Sequence, residues 1–252
     1  MPSGLDLAFV VLFAVVQATV DALYFDRQFK RQVAAGVPDA RRKWYRRCLI
    51  TQWVLAVLAV VLWAGQRRAW AALGLALPHA WQLFVSVVAV GLIARLVVRQ
   101  NAAVRRMSVR RAAQLAPRLA GLEFMLPHTA GEYRWFIALS CTAGICEELL
   151  YRGFLTWVIA SYIGLPAALF VAATAFGVSH AYQGRTGVVK TGAVGLVMGL
   201  VVLASGWLIP AMIIHALVDV ASGTVGFTVL TRTRGAAESA PTGPPAAEAA
   251  LS

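Results

Sequence analysis

Charge is scarce in this chain. Asp, Glu, Lys and Arg make up 13% of its 252 residues, about half the share found in a soluble domain. Acid is scarcer than base: 11 Asp and Glu stand against 23 Lys and Arg, a formal net charge of +12. With 60% hydrophobic residues and a mean hydropathy of +0.70, an ordinary soluble globular protein is excluded. Cysteine is sparse too. Cys48, Cys141 and Cys146 show no CxxC spacing, and two of them lie in one apolar run, so no disulfide framework is indicated. The stretch Met1–Asp6 lacks the positive region of a signal peptide, so the first apolar run is expected to remain as a membrane span. There is no internal repeat. Nucleic acid is not an expected partner, because no basic soluble domain exists to carry it.

What the chain does have is long apolar runs. A spanning helix needs about 20 mostly apolar residues. Candidate spans cover Leu5 to Phe25, Cys48 to Ala64 and Trp81 to Val98. Basic stretches separate them: Arg27 to Arg47 after the first, and Arg99 to Arg118 after the third. Ala71–Leu77 reads as interfacial. Beyond Trp135 the sequence stays apolar to Leu230, with breaks expected at Gly153, Gly164-Leu-Pro166, Gln183-Gly-Arg185 and Ser205-Gly206. Spans are therefore expected near 135–150, 153–163, 166–181, 187–204 and 207–230. Gly192, Gly195 and Gly199 carry small residues at helix-packing spacing.

The fold class expected is all-α, a polytopic transmembrane bundle of about eight helices. It divides into N-terminal membrane helices over 1–130, a core over 131–231, and a disordered tail over 232–252 rich in Ala, Pro, Gly, Ser and Glu. The positive-inside rule puts the basic loops in the cytoplasm and the N-terminus outside. Eight spans would then leave the C-terminus outside, against the sign of Arg232 and Arg234.

Ionisable groups inside a membrane span are costly and mark function. Here they form three clusters. In Glu147-Glu148-Leu-Leu-Tyr-Arg152, Glu148 and Arg152 are i,i+4 and share a helix face. Adjacent positions diverge by about 100°, which leaves Glu147 free to face a cavity. In Phe176-Gly-Val-Ser-His180 a single imidazole stands in apolar sequence. Its neighbour Ser179 is at i,i+1, and the segment lacks the second glycine of a nucleophile turn, which weighs against a serine protease. In His215-Ala-Leu-Val-Asp219 the pair shares a face, so it can bind a metal, or the acid can orient the imidazole. Two His and a carboxylate, His180, His215 and Asp219, are also the ligand set of a hydrolytic zinc site, with Glu147 available as general base.

These residues resemble the CPBP (Abi) family of intramembrane proteases, the type II CAAX prenyl endopeptidases. That family is marked by EExxxR, FxxxH and HxxxN/D on separate membrane helices. The resemblance covers about residues 130–230. It implies an eight-helix bundle with a polar cavity open to the cytoplasm, and peptide-bond hydrolysis. It implies that Glu147 activates water, that His180 helps hold the water, and that His215 and Asp219 bind a metal or stabilise the oxyanion. Arg152 would hold Glu148, and Phe176 would pack beside them. Family members used for comparison carry Asn in the third motif. An ionised Asp219 would repel an oxyanion but suit a divalent cation, so zinc is the expected cofactor. The expected substrate is a membrane-associated protein or peptide. The Arg-over-Lys, Ala-rich composition points to the inner membrane of a bacterium. No HExxH or GxGD mark of other membrane proteases occurs. Two rival readings are a non-enzymatic immunity or interaction protein that keeps the polar cluster, and a proton-relaying transporter.

Overall fold

The structure, a computed structural model, describes residues 1–238. Among these residues it is all helix, with no strand. We number the helices α1 (Gly4–Ala34), α2 (Ala40–Gly65), α3 (Ala80–Arg105), α4 (Val109–Leu119), α5 (130–163), α6 (Leu165–Ser179), α7 (Gly184–Ser205) and α8 (Ile209–Glu238). Helices α1, α2, α3, α7 and α8 are each long and apolar enough to cross a membrane. Their outer faces carry side chains such as Phe84, Leu96 and Val197 in the open. An all-α multi-pass membrane bundle is the result.

One expectation is corrected. The spans 135–150 and 153–163 are a single unbroken helix, α5, about 50 Å long. Gly153 does not break it. The helix widens into π turns over Glu148–Leu155, and Gly153 lets another segment come close. A Cβ there would sit 3.1 Å from the Leu73 carbonyl oxygen and 3.2 Å from Leu208 Cδ1. The short 3₁₀ turn Trp70–Leu73, expected at the interface, packs with its buried Leu73 against Gly153 of α5. The true break comes at Gly164, at φ +80°, followed by Pro166 in the first turn of α6, as the sequence indicates.

Merging two spans into one changes the sidedness. Contacts show which helix ends lie together. At one end Arg232 donates to the Arg105 carbonyl at 2.8 Å, Arg234 meets His128 at 2.8 Å, Arg41 donates to the Phe124 carbonyl at 3.0 Å, and Lys30 to that of Tyr182 at 3.1 Å. At the other end Arg68 clasps the fully buried Asp6 at 2.9 and 2.5 Å, and Trp207 donates to Ser86 at 2.8 Å. Both basic loops and the C-terminal arginines therefore share one end, and the N-terminus sits at the other. With 130–163 as one helix, the basic loops lie at the same end as Arg232 and Arg234.

Helix α8 continues to Glu238, past the expected limit at 231; the rest of the expected tail lies outside the described residues. Helix α4 is short and amphipathic, with Ala112 buried and Arg110, Arg111 and Arg118 outward. In a membrane, tight packing relies on small residues rather than on apolar burial. Gly192 and Gly195 on α7 bear this out: they lie against Ala173, Phe176 and Gly177 of α6. An aromatic chain ties α1 to the centre: Phe13 meets Tyr151 at 5.7 Å, and Tyr151 meets Phe176 at 5.1 Å.

Candidate active site

Glu147 stands midway along α5, not near the end of a span as the expected topology placed it. The next residue, Glu148, is fully buried. Its Oε1 accepts from Arg152 Nη1 at 3.0 Å, the i,i+4 pair the sequence predicts. The same oxygen lies 2.7 Å from His215 Nδ1, across to α8. An ionised carboxylate only accepts, so the proton between them sits on Nδ1. This turns His215 Nε2 towards Glu147 and Asp219, at 3.9 Å from Glu147 Oε2 and 3.6 Å from Asp219 Oδ2. Both gaps exceed a direct hydrogen bond and are of the size one water bridges.

Helix α8 comes this close because Gly144 lies one turn before Glu148. A Cβ at Gly144 would meet the Met212 carbonyl oxygen at 2.6 Å and the Ala216 nitrogen at 2.9 Å. Met212 and Ala216 flank His215, so the helix contact and the Glu148–His215 bond are one feature.

His180 closes the third side, just past the end of α6. Its Nδ1 is 2.9 Å from the Phe176 carbonyl and 3.2 Å from Ser179 Oγ. A carbonyl only accepts, so Nδ1 carries the proton and Nε2 keeps its lone pair. Ser179 itself donates to the Phe176 carbonyl at 2.8 Å, a helix-end bond rather than a nucleophile's posture. The Phe176 ring centre is 4.6 Å from that of His180, 6.0 Å from that of His215, and 4.1 Å from the Arg152 guanidinium carbon. Phe176 is thus the apolar floor under both imidazoles and the cation.

Gln52 on α2 was not foreseen. Its Nε2 donates to Glu147 Oε1 at 2.8 Å. Glu147 Oε2 has no hydrogen-bond partner among the described residues. One oxygen is thereby anchored and the other left for chemistry. The signal was present: an amide inside an apolar span is a polar group that must find a partner in the bundle.

A cavity of about 430 Å³ joins these groups. Glu147, His180, His215 and Asp219 line it, with Asp21, Arg47 and Met125 among other residues. Asp21 and Arg47 are paired at 2.8 Å. Near the basic end, outside the spans, burial holds the His128 imidazole below its ordinary pKa, and Arg41 and Arg234 push the same way.

The donor chemistry has features of a zinc site: two imidazoles, and a carboxylate behind one of them. Yet among the described residues no three His, Cys, Asp or Glu side chains gather closely enough to hold a metal ion. His180, His215 and Asp219 form no such group in this arrangement, and the chemistry below takes no step through a metal.

Residues 129–221 match the family model described as Rce1-like, type II CAAX prenyl endopeptidase Rce1-like. Every candidate site residue named from the sequence lies within that segment. No curated protein and no solved structure matches the chain.

Proposed function

We propose that this chain, whose residues 129–221 fall in the type II CAAX prenyl endopeptidase family, is an intramembrane endopeptidase in which Glu147 activates the attacking water. The observation that carries the reading is the pair of Glu147 oxygens: Oε1 anchored by Gln52, Oε2 free and facing His215 across 3.9 Å. A carboxylate fixed at one oxygen and open at the other is posed to take a proton.

The steps follow from that pose. A water between Glu147 Oε2 and the imidazoles gives its proton to Glu147, and its oxygen attacks the peptide carbonyl carbon. His180 Nε2, its lone pair free, accepts the water's second hydrogen and aims the attack. The carbonyl oxygen gains the negative charge. His215, protonated on both nitrogens, donates Nε2–H to that oxyanion, and the Glu148 carboxylate at Nδ1 balances the imidazolium. The tetrahedral intermediate collapses, the C–N bond breaks, and Glu147 returns its proton to the leaving amine. Arg152 and Phe176 touch no reacting atom in this scheme; they position Glu148 and the rings. Asp219 faces the same space as His215 and shapes its field.

The substrate is a membrane-associated protein or peptide that enters from the basic end of the bundle. That end is cytoplasmic by the positive-inside rule, in the inner membrane of a bacterium. The test uses purified chain in lipid vesicles with membrane-tethered peptides, read by mass spectrometry of the fragments. Wild type is expected to release two fragments, with water's oxygen in the new carboxylate, and Glu147→Gln to release none. Cellular function that survives Glu147→Gln would favour the non-enzymatic interaction protein instead.

A further inference from the structure

Helix α7 carries one charged side chain beyond its first turn, Lys190. A cation in an apolar span costs about 2.5–3.5 kcal/mol on insertion scales and calls for a reason. Lys190 is exposed, and no ion pair or hydrogen bond of its ammonium occurs among the described residues. It also lines the cavity that holds Glu147, His180 and His215. Its direction is fixed by periodicity. Lys190, Val194 and Met198 are spaced i, i+4 and i+8, and all three line the cavity, so this stripe of α7 is its wall.

The rest of the cavity's charge is accounted for. Arg47, another cation on the wall, is spent on Asp21 at 2.8 Å. The remaining carboxylates there, Asp26, Glu147 and Asp219, would repel an anion. The His215 imidazolium of the mechanism is balanced by Glu148 at 2.7 Å, so a carboxylate brought into this space finds its unbalanced cation in Lys190.

We infer that Lys190 is a specificity-determining residue that pairs with a carboxylate of the peptide held against Glu147. The inference rests on the endopeptidase reading and narrows its substrates. The carboxylate is either the free C-terminus of the peptide or an Asp or Glu side chain in it. The ammonium is a compact charge on a flexible stem and accepts either.

The experiment uses the full chain in nanodiscs and one membrane-tethered peptide sequence in three forms: free C-terminal carboxylate, C-terminal amide, and amide with one added internal Glu. Cleavage is measured for wild type, Lys190→Gln and Lys190→Glu. Binding of the same peptides is measured on Glu147→Gln, with and without Lys190→Gln. Lys190→Gln is expected to raise KM for the carboxylate form about tenfold with kcat kept, to leave the amide form unchanged, and to weaken binding in the Glu147→Gln background by the same factor. Lys190→Glu should be worse still on the carboxylate form. If the internal Glu restores the dependence on Lys190 to the amide, the side chain is an accepted source; if not, the terminus alone is. Equal KM and equal binding across all forms for wild type and Lys190→Gln would overturn the inference and leave Lys190 as a topological residue reaching for the basic interface. If wild type cuts none of the peptides, the endopeptidase reading fails, and the binding arm still decides the pairing. Equal unfolding temperatures of the variants and wild type exclude misfolding as the cause.

Discussion

The Glu148 carboxylate and the His215 imidazole meet at 2.7 Å, although 67 residues separate them in the chain. One oxygen of Glu148 holds both this imidazole and the Arg152 guanidinium, in a place with no exposure to solvent. It joins α5 to α8, fixes which His215 nitrogen carries a proton towards it, and so decides which one faces the cavity.

Breaking that junction should cost stability before it costs chemistry. Arg152→Met leaves Glu148 as a buried carboxylate without its cation, a loss of about 3–5 kcal/mol. Glu148→Gln keeps an acceptor for Arg152 and costs less. Thermal unfolding in detergent should rank wild type above Glu148→Gln and Glu148→Gln above Arg152→Met. Both variants should lose peptide cleavage: Glu148→Gln no longer balances His215 as an imidazolium, and Arg152→Met no longer positions Glu148 against it. An Arg152→Met protein as stable as wild type would refute the buried pair.

Gly144→Ala should disable the site without touching any polar group. The added methyl has no room against the backbone of Met212 and Ala216, so α8 must shift. Overpacking of this kind costs about 1–3 kcal/mol. The shift stretches the Glu148–His215 bond, so kcat should fall much more than KM rises. Gly121→Ala, where a Cβ meets nothing within 4 Å, is the control and should change neither.

Gln52→Leu removes the anchor of Glu147 and keeps the volume. The carboxylate then samples more rotamers, and the water is held less often. A fall in kcat of roughly tenfold is expected, the worth of one hydrogen bond to a charged group. Gln52→Glu should be more damaging, since it sets a second carboxylate against the first. Unfolding temperature should hardly move for Gln52→Leu. Unchanged turnover in that variant would remove Gln52 from the site.

Metal analysis of purified, monodisperse protein tests the ligand geometry. Zinc well below one equivalent, with cleavage that survives a chelator, is the expected result. Stoichiometric zinc that disappears in both His180→Ala and His215→Ala would mean that the imidazoles and Asp219 close around an ion, and the mechanism would have to be rewritten with the metal activating the water.

The basic end of the bundle should respond to pH through His128. Its pKa is depressed in the folded chain, mainly by burial, so the neutral ring is the folded form. Its Nδ1 then accepts from Arg234 at 2.8 Å. A depressed value means that the stabilisation is present above the ordinary imidazole pKa and is lost as pH falls through the folded value. Hydrogen exchange over 228–238 should quicken on acidification, and His128→Gln should flatten that dependence.

The sequence alone was enough for the all-α membrane architecture, because composition and run length decide whether a helix can live in lipid. It also singled out polar residues that the fold gathers around one cavity: a charged or imidazole group in an apolar run is costly and needs a partner, and i,i+4 spacing already pairs Glu148 with Arg152. It misread Gly153 as a break, since a glycine that ends a helix and one that admits a neighbour look alike in one dimension. That misreading split one helix into two and set Glu147 near the end of a helix, where it stands midway along α5. Only the tertiary structure could bring Gln52 to Glu147, Glu148 to His215 and Lys190 to the wall of their cavity. Those are relations between distant segments. They depend on how closely α5 and α8 approach at Gly144, which is a matter of packing, and no local pattern encodes it.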